Sequence, residues 1–154
     1  MMLEIVEITA LLIVGWVAGA ESGSWACVHP VISKLPNEQQ IIFQKGLLKT
    51  FGRVMPVLMP LCLLLAILLC TFTADKNSTV FYLRLAAAIA LTSMIITTVV
   101  FNVPVNIATG TWDAKNFSTD WKKKRARWRF FQGYRSVVLI LSFIILLIAQ
   151  INAK

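Results

Sequence analysis

Acidic residues are scarce in this chain: seven Asp and Glu stand against fifteen Lys and Arg, for a formal net charge of +8. Histidine is scarcer still, with His29 alone in 154 residues. One imidazole excludes bis-histidine haem ligation and a three-histidine metal site within a single chain. It leaves His29 as the only imidazole to which a haem or metal could attach. The three cysteines build no disulfide framework, since Cys62 and Cys70 sit deep in one apolar run as filler and only Cys27 lies near His29. No phosphate loop, nucleotide fingerprint or nucleophile triad occurs, so nothing points to nucleotide-driven transport or to hydrolysis.

Charge of either sign is sparse, at 14% of residues against 58% hydrophobic. The apolar residues come in long blocks rather than in stripes, which predicts a polytopic membrane protein. Four blocks are long enough to cross a bilayer as helices, at about residues 5–28, 53–72, 80–103 and 134–151. The expected fold is therefore all-α: a single domain over residues 1–154, an integral membrane four-helix bundle. A short interfacial helix is expected between helices one and two, with Asn37 as its cap and Gln40 closing a capping box. Ala18-Gly19-Ala20 has the small-x-small pattern of a signal peptidase site. Glu4 and Glu7 replace the basic region that such a segment carries, so helix one is expected to stay in the mature protein. Those glutamates suit the positive end of the helix dipole.

Basic residues set the expected orientation. Lys34, Lys45, Lys49 and Arg53 fall in the first connection, and Lys115, Lys122, Lys123, Lys124, Arg125, Arg127 and Arg129 precede the last span; the middle connection has Lys76. The two basic connections are then cytoplasmic and both termini lie on the opposite side. The bilayer explains the charge, and no nucleic-acid partner is expected. Gly15, Gly19 and Gly23, four apart, form a close-packing face, either inside the bundle or as a seam for a homo-oligomer or a larger membrane partner.

This topology gathers polar residues from all four helices at one membrane face. Glu21 lies roughly 10 Å inside the end of helix one. An ionised carboxylate there costs about 2.5–3.5 kcal/mol, so it needs a proton or a basic partner. It is either a substrate-facing acid or base or a structural ion pair with Arg53 or Arg135. Glu21, Trp25 and His29 share one helical face, Asn102 and Asn106 flank Pro104, and Arg125, Trp128, Gln132 and Arg135 form one face of the last helix. Pro56 and Pro60, one turn apart, bend helix two either to widen a cavity or as plain packing. Such a mouth suits a small aromatic or lipid-like ligand; arginines that bind headgroups beside interfacial tryptophans are the other reading.

The combination Asn102-Val-Pro104-Val-Asn106, then Trp112, then Asp120-Trp121-x-x-x-Arg125-x-Arg127-Trp128 with Arg135 beyond, resembles the DUF1772 family of small four-helix membrane proteins, which includes anthrone oxygenases of polyketide pathways. The resemblance implies an oxygenase that acts on an electron-rich aromatic or enolisable substrate without a dedicated metal or flavin. Many members carry a histidine three residues before the final arginine, where this chain has Gln132, which cannot exchange a proton near neutral pH. On this reading Glu21, His29 and Arg135 are the expected catalytic residues, with Glu21 or His29 as the base. Arg53, Asn102, Asn106, Trp112, Arg127, Trp128 and Gln132 are expected to bind substrate. The alternative is a non-catalytic ligand- or lipid-binding protein or an accessory subunit of a larger complex.

Overall fold

The computed structural model describes residues 2–153. Four helices are long and apolar enough to cross a membrane: α1 (Met2–Ile32), α2 (Asn37–Phe72), α3 (Thr79–Thr111) and α4 (Trp121–Asn152). At about 1.5 Å per residue each runs roughly 45–55 Å, against a hydrocarbon core of about 30 Å. Every helix therefore extends turns beyond the apolar slab, and those extensions carry the polar residues. Each helix packs on its neighbours in the chain and α1 closes on α4, giving an up-down-up-down bundle.

The expected spans all fall within these helices, but the segment after the first span does not form a separate interfacial helix. Residues from Asn37 run without a break into the second span. On α2 Gln44, Leu48, Phe51, Met55 and Met59 follow one another at three- and four-residue steps on one side, a single stripe that crosses the expected boundary. The capping box is also absent. Asn37 is already helical behind Pro36, and Gln40 Nε2 donates backwards to Leu35 O at 2.7 Å and Ser33 O at 3.2 Å. At α4, Lys124 and Ser118 hydrogen-bond the exposed Asp120 carboxyl and hold it below the usual carboxylate range.

Pro30 and Pro104 sit inside α1 and α3 without stopping them. In both cases a wide π-turn comes just before: Ser24–Val28 ahead of Pro30, and Thr98–Asn102 ahead of Pro104. The N–H groups of His29 and Val103 bond five residues back, to Ser24 O and Thr98 O. Each proline then stands in the first turn of the resumed α-helix, where its missing N–H costs least.

The bundle core joins Val14, Val17, Cys62, Leu91, Met94 and Leu139 across the four helices. A second apolar cluster of Ile41, Val105, Trp112, Trp121 and Trp128 caps one end. Ile5, Ile8, Leu12 and Trp16 lie on the outside of α1, more than half exposed, as a lipid-facing row requires. Gly15 supports the close-packing reading within the bundle, since a Cβ there would meet the Phe143 ring of α4 at 2.8 Å. Nothing lies within 4 Å of such a Cβ at Gly19 or Gly23.

Glu7 belongs to the interior rather than to a helix-dipole pattern alone. It is 6% exposed and pairs with Arg84 of α3, while Gln150 Nε2 of α4 donates to its other oxygen at 3.0 Å. Arg84 also donates to Thr73 Oγ1 at 2.9 Å. This buried charge cluster lies at the end of the bundle opposite Glu21.

Candidate functional site

A cavity of about 280 Å³ opens between the helices at the end where Glu21 lies. The π-turns determine which side chains reach it. On α1 the lining residues are Glu21, Ser24 and His29, and on α3 they include Thr98, Val103 and Asn106. The five-residue steps from Ser24 to His29 and from Thr98 to Val103 match the wide turn. Trp25, expected on the face of Glu21, is displaced from the cavity and lies over Gly133, where a Cβ would stand 2.8 Å from the indole. Pro56 and Pro60 both line the cavity from α2, as the widening role for these prolines requires.

Glu21 is fully buried and its partner is Arg135, at 2.7 Å, rather than Arg53. Gln132 completes the set: its Nε2 donates to the same Glu21 oxygen, and its Oε1 accepts from Arg135. One carboxylate is thus held by a guanidinium and an amide, the compensation that a buried charge needs. Glu21 Oε1 and Arg135 Nε remain buried without a hydrogen-bond partner, as do Gln44 Oε1 and Arg125 Nε. All four residues line the cavity. Unsatisfied buried polar atoms are costly, and their concentration around one cavity fits a site completed by a ligand.

His29 is 5% exposed, with its ring edge-on to Trp128 at 4.8 Å between centroids. Trp128 Nε1 donates to Asn106 Oδ1 at 2.7 Å, which fixes the amide and leaves its N–H groups for a ligand. Asn102 is fully buried but does not line the cavity; its Nδ2 donates to Trp128 O at 3.2 Å and so anchors α3 to α4.

Of the expected site residues, the structure brings Glu21, His29, Asn106, Trp128, Gln132 and Arg135 together around the cavity. Arg53, Trp112 and Arg127 stand apart from it. Arg53 is exposed, one step round α2 from the lining residue Gly52. Trp112 is built into the apolar cap, with its ring 6.1 Å from that of Trp121 and its carbonyl accepting from Lys45 Nζ at 3.0 Å. Arg127 is exposed beside the Phe101 ring, because it lies about 200° round the helix from Arg125. The arginine that does line the cavity is Arg125, its guanidinium 4.0 Å from the Trp128 ring centroid. Gln44, absent from the sequence expectation, also lines it; the signal was its place on the Leu48, Phe51, Met55 stripe of α2.

A second, more open groove of about 690 Å³ adjoins the cavity and shares His29, Gln44 and Arg125 with it. No group of three or more His, Cys, Asp or Glu placed to hold a metal ion occurs among the described residues.

Four membrane-length helices closed around a largely apolar cavity with buried charged groups define an integral membrane protein with an internal cavity. The family model described as anthrone oxygenase matches residues 47–145, well over half of the chain, and the chain belongs to that family. The matched stretch runs from α2 into α4 and includes Asn106, Arg125, Trp128, Gln132 and Arg135, whereas Glu21 and His29 of α1 precede it. No curated protein and no solved structure matches the chain.

Proposed function

We propose that this protein is a cofactor-independent oxygenase that oxidises a small, enolisable aromatic substrate of the anthrone class inside the cavity. The observation that carries this reading is the convergence of one imidazole, one held carboxylate and unpartnered buried donors on an apolar chamber. Its volume of about 280 Å³ is near the lower end of the usual range for ligand pockets, about 300–1,000 Å³.

His29 is the base. Glu21 is engaged by both Arg135 and Gln132 and serves to hold Arg135. The imidazole takes a proton from the substrate CH2 carbon, and the resulting enolate oxygen is stabilised by Arg135 Nε–H and the Asn106 amide. One electron passes from this anion to O2, and C–O bond formation then gives a peroxide that the imidazolium protonates. Cleavage of the O–O bond with loss of the remaining C–H proton yields a carbonyl and water. One O2 is consumed per substrate, with one oxygen atom retained, so the substrate itself supplies the electrons. Gln132 therefore need not act as a base where the family resemblance has a histidine; here it fixes Glu21.

The basic connections support, by the positive-inside rule, a cytoplasmic cavity end with both termini on the other side. At that other end Arg84 is neutralised by Glu7, and the connection carries Lys76 beside Asp75, for no net charge.

The test is oxygen uptake by detergent-purified protein with anthrone. His29→Asn is expected to lower the catalysed rate by about a hundredfold or more, and Arg135→Gln by a comparable factor. Unchanged rates in both folded variants would sink the proposal.

A further inference from the structure

Arg125 is a half-buried cation for which no anion is supplied among the described residues. Arg84 pairs with Glu7 and Arg135 with Glu21. Arg125 makes no ion pair or hydrogen bond among the described residues, and its Nε is buried and unpartnered. Its one specific contact is the Trp128 ring at 4.0 Å. A cation–π contact offsets part of the desolvation of a guanidinium but satisfies none of its five donors.

The surroundings add positive charge rather than compensate it. Arg125 stands where the cavity meets the groove, and the groove also presents Lys122 and Arg129. No acidic residue lines the groove, and the sole acid of the cavity, Glu21, is engaged by Arg135. The chamber beyond is mostly apolar. A ligand that satisfied both regions has an aromatic body for the chamber and an anionic group for the junction.

We propose that Arg125 is an anion-binding subsite, and that the substrate of this protein is an aromatic compound bearing a carboxylate. The planar guanidinium suits a bidentate carboxylate, with Trp128 holding it flat and Arg129 guiding the anion in from the groove. The subsite also fixes which way round the aromatic enters, so that its reactive carbon is presented to His29; this last step rests on the oxygenase reading above.

Calorimetric titration in neutral detergent separates the two claims, because binding does not require turnover. The probes are anthracene carboxylate and its neutral counterpart hydroxymethylanthracene. The wild-type protein is expected to bind the carboxylate about tenfold more tightly or better. Arg125→Gln removes that preference and leaves the neutral compound's affinity unchanged; Arg129→Gln, at the exposed rim, reduces it. Equal affinities in the wild-type protein overturn the subsite whether or not either variant folds, and so does a preference that survives in folded Arg125→Gln. A phosphate headgroup shares the chemistry. Tighter, Arg125-dependent binding of a short-chain phosphatidylglycerol than of the carboxylate assigns the site to lipid and overturns the substrate claim. Loss of oxygen uptake with the carboxylate preference intact removes the oxygenase reading alone.

Discussion

Glu21 of α1 and Arg135 of α4 form an ion pair of 2.7 Å, with the glutamate side chain fully buried and that of the arginine 9% exposed. Gln132 bonds to both. The pair ties the first helix to the last at the end of the bundle where the cavity lies, while Glu7 and Gln150 tie the same two helices at the other end. Because charges buried in a bundle are expensive alone and tolerable together, the two pins fix the register of α1 against α4.

Breaking the first pin on one side leaves an uncompensated buried charge. Arg135→Met is expected to cost about 3–5 kcal/mol of stability. Glu21→Gln combined with Arg135→Met recovers much of that loss, because no charge remains buried. Thermal unfolding in detergent reads both. A double variant as unstable as the sum of its single changes would contradict the pairing.

The glycines separate packing inside the bundle from packing against something else. Gly133→Ala, whose Cβ meets Trp25, and Gly15→Ala, whose Cβ meets Phe143, are each expected to cost about 1–3 kcal/mol. Gly19→Ala has open space and gains helix propensity, by about 0.5–1 kcal/mol. If the Gly19 and Gly23 face is instead a seam for a second copy or a membrane partner, Gly19→Ala disrupts that assembly. Size-exclusion chromatography in mild detergent shows which holds.

The purified protein is expected to be colourless, with no Soret band and no stoichiometric metal. An ultraviolet-visible spectrum together with metal analysis checks this. A chromophore or metal that disappears in His29→Asn would contradict the cofactor-independent chemistry and make His29 a ligand.

The bundle was legible because bilayer-length apolar runs have few other outcomes, and so was the face of α4 from Arg125 through Arg135, which regular helical spacing reveals. Part of what escaped the sequence depended on breaks in that spacing. His29 lines the cavity as expected, but the π-turn brings Ser24 there with it and moves Trp25 away, and a fixed four-residue step cannot anticipate a five-residue turn. Arg125 and Arg127 both match the motif, and motif resemblance does not distinguish the side of the helix that lines the cavity from the side that does not. The Glu7–Arg84 pair was missed although a lone arginine in an apolar run demands a partner; the match lies on a helix distant in sequence, and only the packing of α1 against α3 and α4 brings it near.

The central claim is tested most directly by turnover of anthrone under isotopically labelled dioxygen, with the uncatalysed oxidation subtracted. The expected result is one labelled oxygen atom in each carbonyl product, formed at a rate proportional to protein and abolished in His29→Asn. Product formation no faster than the uncatalysed background, or unlabelled oxygen in the product, would contradict it.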